Sequence, residues 1–427
     1  MIVLLIGSGG REHALAYKIK QSSLLTKLYM APGNPGTKKL GENIKLDISK
    51  HNGVIDFCLE NKVELVVVGP EIPLVNGLAN ELRKNKILVF GPNKEAADIE
   101  GHKTFAKDLM KTYNIPSAGY QKYSSYEFNK ANDYLLKCKY PVVLKADGLA
   151  AGKGVIICKD KDEAIKSLNE IFIEKIFGDA GNKLVIEEFM YGEEASIFAI
   201  TDGTDFICLP SAQDHKRIGD NDTGKNTGGM GAYSPAPMVT DEILSQVRTT
   251  IIEPVLKALR EENRTFVGCL YCGLMLTEEG PKVVEFNCRF GDPETQAVLP
   301  LIEGDFLNLL YTAAKGKLDA PDIKYSGGSS VCVIAASKGY PDEYKIGYEI
   351  KALDELKDVL CFFSGVKEDS SGKLITSGGR VLCITAVLKE LNIKEAKDIA
   401  YKELSKISFE NIYYRKDISD KAYINFY

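Results

Sequence analysis

The sequence lacks several features that would assign it to a specialised class of protein. Its net charge is -5, so it has no excess of lysine and arginine of the kind that indicates a nucleic-acid binder. No basic segment precedes the apolar run IVLLI, and this run is too short for a signal peptide or a membrane span. No internal repeat or low-complexity linker is present. We therefore expect a cytoplasmic protein that acts on a small metabolite and binds neither nucleic acid nor membrane.

The ten cysteines show no spacing typical of a disulfide framework. The only close pair, Cys269 and Cys272, lies in the apolar run VGCLYCGLML. If this run is a β-strand, side chains three residues apart point to opposite faces, so the pair predicts neither a metal site nor a redox motif. We interpret the cysteines as buried thiols in a reducing compartment.

The length and the local patterns indicate several domains. A chain of 427 residues with 44% hydrophobic and 26% charged residues is typical of a soluble globular protein with more than one core. In the first hundred residues, short β-branched runs that end in Gly or Pro alternate with polar helical stretches, which predicts a parallel sheet wrapped by helices. The expected units are residues 1–100, 101–194, 195–320 and 321–427.

The first candidate site is the stretch LIGSGGREHAL, where Gly7, Gly9 and Gly10 form a turn between a strand and a helix. A dinucleotide fingerprint would need a third glycine, where Glu12 stands, and an acid after the second strand, where the sequence reads APGNPG. A nicotinamide site is therefore not expected. The turn still directs backbone N–H groups at one point, as a phosphate or phosphosugar site does. Tight packing of strand on helix is the alternative.

A second glycine-rich loop, KADGLAAGKG, lies between two predicted strands. It is not a nucleotide-binding P-loop, because no Ser or Thr follows its lysine and a strand stands where that motif requires a helix. A glycine-rich hairpin can instead close over a triphosphate and donate backbone hydrogen bonds. Lys145 and Lys103 are suited to neutralise the inner phosphates, although a lone lysine is more often a solvated surface residue.

The segment VIEEFMYGEEAS follows as a candidate adenine hinge. It reads as a strand ending at Glu187 and Glu188, with Glu194 beyond a turn. Backbone groups around Phe189 are candidates for the adenine edge, and the Glu194 carboxylate is a candidate for the ribose hydroxyls. The alternative is a strand edge with solvated acids.

The stretch KVVEFNCRFGDPETQ predicts a metal-binding strand. Glu285 and Asn287 are two residues apart and so share one face of the strand. A carboxylate and an amide oxygen suit Mg²⁺ or Mn²⁺, with substrate phosphates completing the shell. Arg289 is expected to continue this face and to stabilise a phosphoryl group or oxyanion. Asp292 before Pro293 is typical of a helix start, and capping by Asp292 explains both residues without a ligand.

Residues 211–237 are polar and glycine-rich, which predicts a long functional loop. Asp214, His215, Lys216 and Arg217 stand together in it, and NTGGMG predicts a second backbone nest for an anion. We interpret His215 as a hydrogen-bond partner and assign no proton transfer to it.

Together these motifs resemble the ATP-grasp ligases. Within that superfamily, the strings GSGGREHAL, APGNPGT, VVGPE, KADGLAAGKGV, QDHKR, NTGGMGAYSP, EFNCRFGDPETQ and YRKDI are similar to those of the phosphoribosylamine–glycine ligase family. The resemblance implies an α/β and α+β multidomain fold with an N-terminal parallel α/β domain, an ATP-grasp core of two subdomains and a small C-terminal α+β domain. It also implies ATP-dependent ligation of glycine to 5-phosphoribosylamine through glycyl phosphate, as a step of de novo purine biosynthesis.

The same resemblance implies roles for individual residues. ATP binding is expected at Lys103, Lys145, Gly152, Lys153, Gly154, Glu187, Glu188, Phe189 and Glu194. Metal binding is expected at Glu285 and Asn287 alone, because the preceding strand GCLYCGLMLT contains no acid. Substrate binding is expected at Gly9, Gly10, Arg11, Glu12, Asn34, Gly36, Asp214, Lys216 and Arg289. Arg289, Lys145 and Asp214 are the expected catalytic residues, and a transient contact with the enzyme that supplies phosphoribosylamine is expected.

Two other functions stay open at this point. One is an ATP-grasp ligase of a different acid and amine, which only the segments GGREH and QDHKR discriminate. The other is a non-catalytic binder of a nucleotide or phosphosugar. The set Lys145, Glu285, Asn287 and Arg289 argues against this second function, because a sensor has no need of a face that binds both metal and phosphoryl group.

Overall fold

The computed structural model describes residues 1–150 and 154–424. The first part of the chain forms a five-stranded parallel sheet in the order β3-β2-β1-β4-β5, as the alternating pattern predicted. Central strand β1 is buried on both faces, which is why it reads as a continuous apolar run. The elements are β1 Ile2–Gly7, α1 Gly10–Ile19, β2 Lys27–Pro32, β3 Glu42–Asn43, α2 His51–Glu60, β4 Leu65–Val68, α3 Glu71–Val75, α4 Leu78–Lys84, β5 Leu88–Phe90, α5 Lys94–Gly101 and α6 Lys103–Thr112.

The next unit is a four-stranded antiparallel sheet, β6-β9-β7-β8, covered by two helices. Its apolar side chains form a core of their own between residues 131 and 186. The β7–β8 hairpin carries the second glycine-rich loop at its tip, as predicted. The elements are β6 Tyr120–Ser124, α7 Phe128–Leu135, β7 Val142–Ala146, β8 Val155–Cys158, α8 Lys161–Phe172 and β9 Lys183–Glu188.

The third unit has a second four-stranded antiparallel sheet, β11-β10-β16-β17. Cys269 and Cys272 lie on strand β16 and belong to two different apolar cores, so they point to opposite faces as expected. The elements are β10 Glu193–Thr201, β11 Phe206–Cys208, β12 Gln213–Asp214, β13 Arg217–Gly219, β14 Thr223–Asn226, β15 Gly231–Ser234, α9 Asp241–Val247, α10 Glu253–Glu261, β16 Gly268–Thr277, β17 Gly280–Asn287, α11 Glu294–Val298, β18 Ile302–Glu303 and α12 Phe306–Ala314.

The C-terminal sheet has the order β12-β15-β20-β24-β21, with β25 also paired to β20. Its elements are β19 Lys324–Tyr325, β20 Ser329–Ser337, β21 Val359–Phe363, β22 Val366–Glu368, β23 Leu374–Thr376, β24 Arg380–Leu388, α13 Ile393–Leu404, β25 Ile412–Tyr413 and α14 Lys421–Ile424. The prediction that residues 211–237 form one long loop is wrong, because this segment contains four short strands. Strand β15 pairs with β20, about a hundred residues away in the chain, and no local pattern reveals such a partner.

Shared cores connect these sheets. One apolar core joins the N-terminal sheet to β10, β16 and β17, and a small cluster joins α1 to the C-terminal sheet. All ten cysteines are free. Among the described residues, no helix combines the length and the apolar character that crossing a membrane requires.

Candidate active site

The strand order of the N-terminal sheet reverses at β1, and the turns after β1 and β4 meet at this crevice. Ligands of parallel sheets bind at such a reversal, outside the carboxyl ends of the strands. The Glu12 side chain fills the space between the two turns. A Cβ at Gly7 or Gly69 would overlap it, so both positions require glycine for close approach.

Glu12 shapes the first turn. Its carboxylate accepts hydrogen bonds from the Gly9 backbone N–H at 2.7 Å and from Arg11 Nε at 2.6 Å. The first contact is half of a capping box at the start of α1. Both oxygens of the predicted substrate ligand Glu12 are therefore engaged within the protein.

Arg11 and Arg289 connect this turn to the end of β17. Arg11 donates to the Phe290 carbonyl at 3.1 Å, and Arg289 pairs with Glu71 at 3.2 Å and with Glu100 at 2.9 Å. Glu71 is also 3.9 Å from Arg11. These ion pairs bring residues of α1, α3 and α5 to the strand that carries the predicted metal ligands.

The charged residues of this group shift one another's pKa values. Burial disfavours the charged form of Glu71, but Arg289 and Arg11 outweigh it and lower the pKa of that carboxyl. Burial raises the pKa of Glu100 against the pull of Arg289. Despite its own burial, the pKa of Arg289 is raised by Glu100 and Glu71, so its guanidinium is charged at any physiological pH.

The APGNPG segment lies beside the same turn. Asn34 Nδ2 donates to the Ser8 and Phe363 carbonyls, each at 2.9 Å, and its Oδ1 accepts from the Gly36 N–H at 2.9 Å. His13 Nδ1 accepts from the Phe363 N–H at 2.9 Å, and a Cβ at Gly36 would overlap the His13 ring. The C-terminal sheet is thus fastened to the glycine turn.

The two predicted metal ligands have free side-chain oxygens. Within residues 1–150 and 154–424, neither Glu285 nor Asn287 makes a side-chain hydrogen bond, and no cluster of three or more His, Cys, Asp or Glu side chains has the arrangement of a metal site. Burial disfavours the Glu285 charge, but Lys216, Lys145 and Lys103 outweigh it and lower its pKa. A carboxylate and an amide fit a hard divalent cation whose remaining ligands are phosphate and water oxygens.

Strand β17 ends at Asn287, so Arg289 lies in a bend beyond it. Strand alternation therefore does not set its direction, contrary to the expectation from spacing. Its two carboxylate partners direct it instead.

Lysines also converge near β17, from the small antiparallel sheet and from α6. Lys145 Nζ donates to the Val284 carbonyl at 2.9 Å and lies 3.0 Å from Glu187. Lys103 Nζ donates to the Ala146 carbonyl at 2.9 Å and the Gly148 carbonyl at 3.2 Å, at the start of the glycine-rich loop. Gly152 and Lys153 lie outside the described residues. The Gly154 carbonyl accepts from the Ala146 N–H at 2.9 Å.

The predicted adenine hinge follows β9. The Glu188 N–H donates to the Gly119 carbonyl at 2.9 Å, and the Phe189 ring lies 4.9 Å from that of Tyr191. Glu194, at the start of β10, accepts from Lys216 Nζ at 2.5 Å. This contact links the hinge to the segment that contains Asp214.

A buried polar network lies behind Lys216. The Tyr271 hydroxyl donates to Glu294 at 2.9 Å, and Ser196 Oγ is within 2.9 Å of that hydroxyl. Burial raises the pKa of Asp214 to about 8 although Lys216 opposes it, while Glu194 and Asp214 outweigh burial and raise the pKa of Lys216.

Comparison with known proteins agrees with this arrangement along nearly the whole chain. Family models described as the N, ATP-grasp (A) and C domains of phosphoribosylglycinamide synthetase match residues 1–100, 101–295 and 330–421. The chain belongs to the phosphoribosylglycinamide synthetase family. It is 46% identical over 419 residues to phosphoribosylamine–glycine ligase of Caldanaerobacter subterraneus subsp. tengcongensis, covering 98% of this chain and 99% of the relative.

Further relatives of the synthetase family support this assignment. The ligase of Rhizobium meliloti is 47% identical over 422 residues, 99% of each chain. The crystal structure of phosphoribosylamine–glycine ligase from Thermotoga maritima superposes with a TM-score of 0.82 at 34% identity, over 98% of this chain and all of that one. The biotin carboxylase domain of Hydrogenobacter thermophilus 2-oxoglutarate carboxylase, at 17% identity and a TM-score of 0.73 over 96% and 91% of the two chains, shares the fold. The synthetase fold is thus the predicted multidomain ATP-grasp fold, and the chain is an ATP-dependent carbon–nitrogen ligase.

The structure contradicts one local interpretation, that of Asp292, and agrees with another, that of His215 as a hydrogen-bond partner. The prediction that Asp292 caps a helix is wrong: α11 begins at Glu294, and the Asp292 carboxylate accepts from the Gln296 side chain and pairs with Arg380 at 3.3 Å. Arg380 comes from the C-terminal sheet, so the sequence around Asp292 does not reveal it. His215 is buried, its pKa is lowered by burial to about 3, and its Nε2 accepts from the Ser419 N–H.

Sequence reasoning missed several charged residues of this region, namely Glu71, Glu100, Lys107, Asp147 and Arg380. Glu71 follows the carboxyl end of β4, and that position in a parallel sheet would have selected it. Asp147 accepts from the Thr104 N–H at 2.7 Å and so fixes the start of α6 under the glycine-rich loop. The others have partners from distant segments and carry no local signal.

Proposed function

We propose that this chain joins glycine to 5-phosphoribosylamine, the two compounds in the names of its relatives, with conversion of ATP to ADP and phosphate. The observation that carries the proposal is the ion-pair group of Arg11, Glu71, Arg289 and Glu100. It brings the phosphosugar-type turn of the N-terminal sheet against the strand that carries Glu285 and Asn287, whose side-chain oxygens make no hydrogen bond to any described residue.

The reaction divides into two displacements. In the first, a glycine carboxylate oxygen bonds to the γ-phosphorus of ATP and the bond to the bridging oxygen breaks, which releases ADP. In the second, the amine nitrogen attacks the carbonyl carbon of glycyl phosphate, loses a proton, and displaces phosphate. Neither step needs a protein nucleophile, so positioning and electrostatics are the work of the protein.

The predicted residues then have distinct roles. Lys103, Lys145 and the glycine-rich loop of Gly152, Lys153 and Gly154 would hold the phosphates, while Glu187, Glu188, Phe189 and Glu194 would line the nucleoside. Glu285 and Asn287 would hold Mg²⁺ or Mn²⁺, which when bound would spread the negative charge of the transferring phosphoryl group.

The two substrates would also lie near β17. Phosphoribosylamine would bind at Gly9, Gly10, Arg11, Glu12, Asn34 and Gly36. Glu12 and Asn34 would contribute indirectly, by fixing the conformation of the turn. Asp214, Lys216 and Arg289 would orient glycine. Free thiols support a cytoplasmic location, and the ready hydrolysis of a glycosylamine in water supports a transient contact with the enzyme that supplies it.

The deciding measurement is ADP release from MgATP with glycine alone and then with glycine and phosphoribosylamine formed in place from ribose 5-phosphate and ammonia. We expect turnover only with both substrates, and glycinamide ribonucleotide among the products by mass. Alanine in place of glycine is the control. Sustained ADP release without the amine, or with alanine only, would contradict the substrate assignment.

A further inference from the structure

Helix α6 carries a buried lysine, Lys107, four residues after the half-buried Lys103. Lys107 is 2% exposed, and its Nζ lies 3.3 Å from Glu187 Oε2 and 3.3 Å from the Ala118 carbonyl. The ring of Tyr120 lies 5.7 Å from the same ammonium. A buried ammonium is costly unless it is paired, so Glu187 is the group that keeps Lys107 charged.

The same carboxylate oxygen also contacts Lys145. Glu187 Oε2 is 3.0 Å from Lys145 Nζ, and the side chains of Lys107, Glu187 and Lys145 are 3%, 3% and 6% exposed. One carboxylate is therefore shared by two buried lysines, and the group of three carries a net charge of +1 when all are ionised. Lys145 reaches from there to the Val284 carbonyl, next to Glu285.

We propose that Lys107 is a positioning residue for the nucleotide. Because Lys107 shares the Glu187 carboxylate, that carboxylate does not fully neutralise Lys145. The inference rests on the proposed function in one respect, that Lys145 faces the ATP phosphates. The protein interior screens electrostatic interactions weakly, so a buried charge acts strongly on a ligand a few ångströms away. Removing one net positive charge from this group should therefore weaken the binding of a triphosphate strongly.

The surroundings of Lys107 agree with this role. Burial lowers the pKa of Lys107 to about 8, against the pull of Glu187 and together with repulsion from Lys145. The charged or titratable groups that face it are Glu187 on β9, Lys145 on β7 and Tyr120 on β6. Glu187 is the only acid in this set.

The test is a charge-balancing cycle. Lys107→Met leaves Lys145 and Glu187 as a neutral pair, so we expect the Kd for MgATP, measured by calorimetry without glycine, and the KM for ATP to rise about tenfold. Adding Glu187→Gln restores the net charge of +1, so the double variant should bind MgATP more tightly than Lys107→Met alone. Lys122→Met removes an exposed lysine from the adjacent strand β6 and should leave binding unchanged.

The cycle separates charge from packing. A Lys107 that only stabilises the fold would lower the melting temperature in both variants, and the double variant would bind no better than the single one. That result, or unchanged binding by Lys107→Met, would overturn the inference. If Lys107→Met does not fold, Lys107→Arg must keep MgATP affinity, and its failure to do so overturns the inference equally. If Lys145→Met binds MgATP normally, the assumed place of Lys145 is wrong, which is a failure of the proposed function.

Discussion

Two ionic groups meet near the end of β17, and they differ in how their charges are satisfied. On the amine side, Arg11 and Arg289 pair with Glu12, Glu71 and Glu100, which come from three different helices. On the nucleotide side, the Glu285 carboxylate lies among cations yet makes no hydrogen bond within the described part of the chain. The first group is complete without a ligand, whereas the second has charge and oxygen atoms left for one.

This difference separates charges that hold structural elements in place from charges that are available to bind a ligand. Buried ion pairs add little net stability but cost several kcal/mol when one partner is removed, so the amine-side group fixes the relative position of its elements. The nucleotide side instead keeps like charges close together, an arrangement that a polyphosphate with its metal relieves. Three predictions test the distinction.

The largest effect is expected at the metal strand. Glu285→Ala should reduce turnover at least about a thousandfold, because the proposed cation site loses the carboxylate that we assign to it, while the melting temperature stays within a few degrees. ADP release at saturating Mg²⁺ and a thermal melt measure both. Glu279→Gln, at the exposed turn of the same hairpin, is the control and should be fully active. Normal turnover of Glu285→Ala would remove Glu285 from the metal site.

The second prediction concerns pH and the amine side. Burial, with a smaller contribution from Lys39, lowers the pKa of His13 from 6.5 to about 4. Because the unfolded chain binds the proton first, the stability from this group is complete above pH 6.5 and is lost as the pH falls toward 4, by roughly 3 kcal/mol.

His13→Gln keeps an acceptor for the Phe363 N–H without a group that titrates. Its melting temperature should therefore fall less between pH 7 and pH 4.5 than that of the unchanged protein. His215, whose pKa is also lowered by burial, stays in both proteins and contributes to the remaining slope. Equal slopes would mean that the pKa of His13 is not lowered in the folded protein.

The smallest effect is a difference between substrates. Arg11→Ala should raise the KM for phosphoribosylamine about tenfold more than the KM for ATP, because Arg11 lies at the glycine turn and its ion-pair partners Glu12 and Glu71 belong to the amine side. Steady-state kinetics with each substrate varied in turn measures the ratio. Equal changes in both constants would argue against the N-terminal site for the amine.

Much of the fold was predictable because its signals are local. The strands of the N-terminal sheet are buried on both faces and read as apolar runs, and the hairpin of β16 and β17 follows its turn residues. The strands in residues 211–237 were missed, since they are short, polar and paired with distant segments. Within the site, Glu285 and Asn287 were selected by spacing, and their metal role stays a prediction.

By itself, the sequence determined the family, the ligase class, the N-terminal sheet and the hairpin of β16 and β17, because motif spacing and apolar periodicity are properties of the chain alone. Only the tertiary structure decided which charges meet. Three sets of ion pairs join residues that are far apart in the sequence. They are Arg289 with Glu71 and Glu100, Asp292 with Arg380, and Glu187 with both Lys107 and Lys145. The physical reason is that Coulomb interactions depend on distance in space and on burial, and both exist only once the sheets have packed.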